Sequence, residues 1–141
     1  MQFMVMRKAD ANTEASVLPS KELIDAMTAY NEKLVARGIM KAGAGLMPSS
    51  SGVRVSFSSG KPTVIDGPFA EAKELIAGYS IIEIASLAEA IEVVRNWPLC
   101  DGDGNVQIEI RPVATAESLG LTRAQVERYD RMVEQQMQTQ Q

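Results

Sequence analysis

The sequence predicts an α+β domain in which an antiparallel sheet carries two helices on one face. Three features carry that expectation. Segments of strand and helix character alternate as strand, helix, strand, hairpin, strand, helix, strand. The two helical segments have an apolar stripe at three- and four-residue spacing. Two of the strands are apolar at successive positions, the pattern of strands covered on both faces. A length of 141 residues fits one domain, which at this size buries roughly two-thirds of its unfolded surface and needs no disulfide or metal staple.

Residues 2–7 (Gln-Phe-Met-Val-Met-Arg) are the first expected strand. A polar stretch runs to Pro19, after which Ser20 caps a helix reaching about Arg37, with Gly38 as its left-handed stop. Leu23, Met27, Tyr30 and Leu34 form its inward stripe, widened by Ile24 and Val35. Residues 39–47 form a second strand, closed by Pro48 and the Ser49-Ser50-Ser51-Gly52 loop. Val53, Val55 and Phe57 alternate with Arg54, Ser56 and Ser58, as in a half-exposed strand. Ser59-Gly60 then turns the chain into Lys61 to Asp66, the second arm of a hairpin.

Residues 75–84 are again apolar on both parities, Tyr79 and Ile81 on one and Ile82 and Ile84 on the other. Ser86 with Glu89 three residues on predicts a capping box. The helix it opens is expected to bury Leu87, Ala90, Ile91 and Val94 before Pro98 ends it. Val106, Ile108 and Ile110 alternate with Gln107, Glu109 and Arg111 in the last core strand. This order is ferredoxin-like. Residues 1–113 make that domain, and residues 114–141 form a tail whose Thr122 and Gln125 cap a further helix with a thin stripe of Val126, Tyr129 and Val133. Two helices cover only one side of the sheet, and an uncovered apolar face of this extent marks an interface. The expected assembly is therefore a homodimer packed sheet to sheet, a dimeric α/β barrel; the competing arrangement has the tail on that face.

Composition narrows function. Lys and Arg total 14 against 18 Asp and Glu, a net charge of -4, so direct nucleic-acid binding by clustered cations is not expected. The chain has no His, which removes Ser-His-Asp and Cys-His catalysis, HExxH zinc sites and two-His iron sites. A single cysteine, Cys100, forms no internal disulfide and favours a reducing compartment. The apolar start lacks preceding basic residues, and no stretch approaches the ~20 apolar residues of a membrane span. A cytoplasmic location is the expectation, with no membrane partner.

Three glycine-rich stretches fail as cofactor or metal motifs. Gly43-Ala44-Gly45 is followed by Pro at position 48 and by no helix. Ser59-Gly60-Lys61 has Val55 where a phosphate loop needs Gly, and Pro62 where it needs Ser or Thr. Asp101-Gly102-Asp103-Gly104-Asn105 lacks the calcium-loop Gly at Val106 and the bidentate Glu at Pro112. All three are turn chemistry, and no cofactor or metal is expected.

The distinctive stretch is Asp66-Gly67-Pro68-Phe69-Ala70-Glu71-Ala72-Lys73-Glu74. Asp66 is placed to accept backbone N–H bonds from the turn, Gly67 and Pro68 shape the backbone, and Phe69 anchors it in the core. Glu71, Lys73 and Glu74 crowd ionisable groups into one segment, which on its plainest reading is a solvated charge run. The stretch resembles the signature of the DGPF family, a branch of the YCII-related domain proteins. Arg54, Gly60-Lys61, Gly78-Tyr79, Glu89-Ala90 and Glu109-Ile110-Arg111-Pro112-Val113 follow in the order typical of that family. Ala72 and Ala77 depart from it, where Thr and Gly are usual. The resemblance covers about residues 1–113 and implies a ferredoxin-like fold that dimerises through its sheets. Namesake members carry a His–Asp pair suggested to be catalytic, which a chain without His cannot reproduce; some relatives are linked to sigma-factor-like proteins.

Three functions remain open. A small-molecule binding or regulatory dimer would hold a polar or anionic ligand at Arg54, Asp66, Lys73, Glu74, Tyr79 and Arg111, the arginines as anion partners. A cofactor-free isomerase or lyase would use Asp66 as base, Tyr79 as proton donor and Arg54 as oxyanion partner. An interaction module linked to transcription would use the tail helix as its contact.

Overall fold

Side-chain parity along the first strand sets the architecture. In β1 (Gln2–Lys8), Phe3 and Val5 are buried on one side, while Met4 and Met6 point to the other. The computed structural model describes residues 1–140. Strand β1 pairs antiparallel with β5 (Ile76–Glu83) and β6 (Ile108–Pro112), and β5 pairs antiparallel with β2 (Met40–Gly45). The sheet order β2-β5-β1-β6 is the ferredoxin-like arrangement expected.

Four α-helices accompany the sheet among the described residues. Helix α1 (Ala11–Glu14) is a single turn capped by Asp10, whose carboxylate accepts the Thr13 N–H while the Thr13 hydroxyl accepts the Asp10 N–H. It falls in the polar stretch that runs to Pro19, where no helix was expected. Helix α2 (Lys21–Ala36) starts at Ser20, whose hydroxyl accepts the Leu23 N–H at 3.1 Å, and stops at Gly38 with φ +70°. Helix α3 (Leu87–Arg95) starts at Ser86, which accepts the Glu89 N–H at 3.2 Å.

Leu34 of α2 and Ala90 and Val93 of α3 pack with Phe3, Val5, Ile39 and Ile82 in one core, so both helices lie on the same face. A fully buried apolar side chain of this size stabilises by about 2–3 kcal/mol. Tyr30 closes the seam between the helices. Its hydroxyl donates to the Val93 carbonyl at 2.9 Å, its ring lies 5.5 Å from Trp97, and burial pushes its pKa up to about 12. The stripes differ in width from expectation. Ile24 and Val35 are exposed because α2 has only the sheet and α3 as neighbours. Leu87 and Ile91 are exposed because α3 is rolled to place Val93 and the small Ala90 against the sheet.

The opposite face has apolar rungs, with Met4 across from Ile81 and Arg111, and Met6 across from Tyr79 and Glu109. Ala42 and Ala44 extend these rungs onto β2. Met6 is buried there, while Met4, Tyr79 and Ile81 are half-buried.

Strands β3 (Val53–Ser58) and β4 (Lys61–Asp66) form a separate two-stranded sheet. Their turn has positive φ at both Ser59 (49°) and Gly60 (78°), the twist that suits a two-residue hairpin. The alternation of Val53, Val55 and Phe57 predicted one covered face, yet every residue of both strands is exposed. The hairpin does not pair with the larger sheet, so the sheet does not cover its strands. Helix α4 (Arg123–Thr139) opens with the expected Thr122–Gln125 capping box; none of its residues is buried, and Val126 and Val133 are half-buried.

Candidate functional site

The segment 66–74 is held by backbone proximity more than by its own charges. An L side chain at Gly67 would place its Cβ 1.8 Å from the Ser49 carbonyl oxygen, so only glycine allows this approach. The Gly67 N–H donates to the Gly52 carbonyl at 3.0 Å, and the Gly67–Pro68 peptide is cis. Ser49 is the hub of the turn. Its hydroxyl donates to the Glu14 carboxylate, its N–H donates to the same carboxylate at 3.0 Å, and its Oγ accepts the Phe69 N–H at 3.0 Å. Helix α1 is thereby tied to the loop after β2 and to the 66–74 turn. The Asp66 side chain, expected to accept these backbone donors, is exposed and forms no hydrogen bond among the described residues; Ser49 has taken the role. Phe69 is half-buried outside the core, with the Arg54 guanidinium 3.8 Å above its ring.

A second network lies at the end of β1. Arg7 shares the inward parity of Phe3 and Val5, so its charge needs partners below the surface. Asp101 supplies them through a bidentate pair, Nε to Oδ2 at 3.1 Å and Nη2 to Oδ1 at 2.7 Å. The Arg7 Nη1 also donates to Asp10 at 3.0 Å and to the Lys8 carbonyl at 2.9 Å, and Trp97 Nε1 donates to Asp101 at 2.9 Å. Burial pushes the Asp101 carboxyl up, but the hydrogen bonds from Arg7 and Trp97 and the guanidinium charge outweigh it and hold the group below the ordinary carboxylate range. Asp10 is also lowered: burial opposes, while backbone bonds from the first turn of α1 and the charge of Arg7 prevail. The Asp101–Gly104 stretch is a tight turn with positive φ at Gly102, Asp103 and Gly104.

Between these two networks opens a cleft of about 320 Å³. Arg7, Lys8, Ala9, Asp10 and Ala11 form one wall, Ala72 and Lys73 the second, and Asn105, Val106 and Gln107 the third. A flatter depression of about 390 Å³ runs beside it along Lys8, Gln107, Ile108 and Glu109. With only four lining residues against ten, it is the less enclosed of the two. In the cleft, Arg7 is committed to two carboxylates and Lys8 lies 3.9 Å from Glu109. Lys73 has no ion-pair partner among the described residues.

The six residues expected at the site are distributed over three places. Arg54 and Asp66 belong to the hairpin, in neighbouring rungs that put their side chains on opposite faces. Tyr79 and Arg111 share the sheet face remote from the helices, two strands apart. Lys73 and Glu74 lie in the 3-10 turn Ala72–Glu74, and of these only Lys73 lines the cleft. No hydrogen bond or ion pair joins Asp66, Tyr79 and Arg54. Reasoning from sequence missed Arg7, Asp10, Glu14, Ser49 and Asp101. Two signals were present: a charged residue on the inward parity of β1, and the Asp10-x-x-Thr13 capping pattern.

Fold and cleft together define a small ferredoxin-like α+β protein with an inserted hairpin and one polar cleft at the edge of its sheet. The family model of the YCII-related domain matches residues 1–114, and the chain belongs to that family. It is 34% identical to an uncharacterised protein of Rhizobium meliloti (strain 1021) over 88 residues, 62% of this chain and 70% of the relative. Among solved structures it is similar to the 5-chloro-2-hydroxyhydroquinone dehydrochlorinase of Burkholderia phenoliruptrix AC1100 in complex with 2,5-dihydroxybenzoquinone. That match has a TM-score of 0.41 and 17% identity, and covers 83% of this chain and 98% of that one. No helix among the described residues is long and apolar enough to cross a membrane.

Proposed function

We propose that the protein is a cytoplasmic homodimer that binds a small anionic molecule in the cleft between the end of β1 and the 72–73 turn. The carrying observation is Lys73, an exposed ammonium without an ion-pair partner among the described residues, at the rim of a cleft of about 320 Å³. That volume lies at the small end of ligand sites. Arg7 is held by two carboxylates and Lys8 is partly satisfied by Glu109, so of the cations lining the cleft among the described residues Lys73 is the one left for a ligand. The Asn105 and Gln107 amides add neutral hydrogen-bonding groups. Ala72, where the DGPF signature usually has Thr, makes its wall apolar at that point.

The dimer is supported by the rungs of Met4, Met6, Tyr79, Ile81, Ala42 and Ala44 on the face away from the helices. Cys100, half-buried and unpaired, suits the reducing cytoplasm.

Thermal shift with phosphate, malonate and benzoate at millimolar concentration tests the binding reading, since a ligand of the folded state raises Tm with its concentration. At least one anion is expected to raise Tm in a saturable way. Lys73→Ala is expected to weaken that binding about tenfold, the loss of one charge-assisted contact, with the unliganded Tm unchanged. A flat response to all three anions, or an undiminished response in Lys73→Ala, contradicts the proposal.

A further inference from the structure

The cleft beside Lys73 has walls of opposite charge. On the β1 side one guanidinium, Arg7, is paired with two carboxylates. Asp101 alone neutralises it through the bidentate pair and does not line the cleft, so the charge of Asp10 is in excess. Asp10 does line the cleft, and its side chain is 34% exposed against 6% for Asp101. Burial opposes ionisation of Asp10, but the backbone bond from Thr13 and the charge of Arg7 prevail, so the group is a carboxylate at neutral pH. Its bonds from the Thr13 N–H at 2.8 Å and Arg7 Nη1 at 3.0 Å take one position on each oxygen, where a carboxylate offers about four. Lys73 stands on the second wall, and it does not meet Asp10 as an ion pair.

We propose that the ligand of the cleft is an amino carboxylate, a small molecule whose carboxylate meets Lys73 and whose ammonium meets Asp10. The proposal rests on the anion reading above and adds a second recognition group to it. Two opposite charges that line one cleft without pairing are best bridged by a molecule that carries both. A plain anion satisfies Lys73 alone and meets Asp10 as a like charge, and a plain amine does the reverse. Each of these classes is penalised by one wall, so the cleft discriminates as well as binds. Ala11 and Ala72 stand next to the two charged residues, and their short side chains leave room between the walls. The volume of about 320 Å³ holds the ligand to a small one. Phosphate, malonate and benzoate are therefore incomplete ligands, bound through Lys73 only.

Isothermal titration calorimetry on the full chain provides the test, with L-aspartate and succinate as probes that differ only in an ammonium group. Wild type, Asp10→Asn and Lys73→Ala are compared. Asn caps a helix about as well as Asp, so Asp10→Asn keeps α1 and leaves the Arg7–Asp101 pair in place; far-UV circular dichroism verifies the fold. Wild type is expected to bind L-aspartate at least about tenfold more tightly than succinate, the value of one charge-assisted contact. In Asp10→Asn that preference is expected to fall to within about twofold, with succinate bound no more weakly than by wild type. In Lys73→Ala both probes weaken. Equal binding of the two probes by wild type, with both weakened in Lys73→Ala, overturns the ammonium contact and leaves the anion site intact. A preference that persists in Asp10→Asn overturns it as well. Binding of neither probe overturns the proposal, and the anion reading falls with it only if phosphate, malonate and benzoate are also without effect.

Discussion

Gly67→Ala is expected to lose about 3 kcal/mol or more of stability, because a new methyl group must displace backbone. The obstacle is the Ser49 carbonyl, 1.8 Å from where the Cβ would sit, and a carbonyl fixed in a peptide plane has no rotamer by which to retreat. Relief requires the 66–74 turn to separate from the Ser49–Ser51 loop. That separation also removes the Gly67–Gly52 hydrogen bond and the Phe69 N–H bond to Ser49. For a chain of this length the loss corresponds to a fall of roughly 10 °C in Tm by calorimetry. Gly52→Ala is the matched control. Its nearest contact is the Ser49 carbonyl at 3.6 Å and its φ is -117°, so it is expected to stay near wild type. Equal losses in the two variants would show that the close approach at Gly67 is not what holds the turn.

Asp101→Asn is the second large effect. Asp101 and Arg7 have side chains only 6% and 12% exposed, and removing one partner of such a pair strands the other charge. The expected cost is about 3 kcal/mol, since Asp10 continues to accept one guanidinium N–H. Replacing both members, Arg7→Met with Asp101→Leu, is expected to recover most of the loss because neither charge then remains buried. Acid titration separates the electrostatic part. The folded-state pKa of Asp101 is lowered, so its contribution is full above the unfolded value near 4 and disappears as pH falls through the folded value. The difference in stability between wild type and Asp101→Asn is therefore expected to be constant from about pH 5 upward and to shrink below about pH 4. A gap that persists unchanged into strong acid would assign the effect to packing.

Element order, helix caps and the two-sided apolar character of β1 and β5 were legible in the sequence because each depends on neighbours within four residues. Ser20, Gly38, Ser86 and Thr122 all act where local rules place them. Burial across the domain was less legible. Alternation at Val53, Val55 and Phe57 states that one hairpin face is apolar, but not which surface meets it. The candidate site was the least legible, because cross-strand register decides which residues meet. Arg54 and Asp66 stand one rung apart, and that single step sends them to opposite faces. Lys73 reaches the cleft because Ser49 and Glu14, both distant in sequence, secure the turn that bears it. Arg7 was the missed clue, a guanidinium on the parity of Phe3 and Val5 that required a buried anion.

Occupation of the cleft beside Lys73 by a small anion, as we propose, is open to direct measurement. Titrating phosphate, malonate and benzoate into isotope-labelled protein while following backbone amide resonances locates the binding directly. Saturable shifts confined to the neighbourhood of residues 7–11, 72–73 and 105–107 are predicted, and they should fade in Lys73→Ala. Shifts clustered instead around Tyr79 and Arg111, or no saturable shift with any of the three anions, would contradict it.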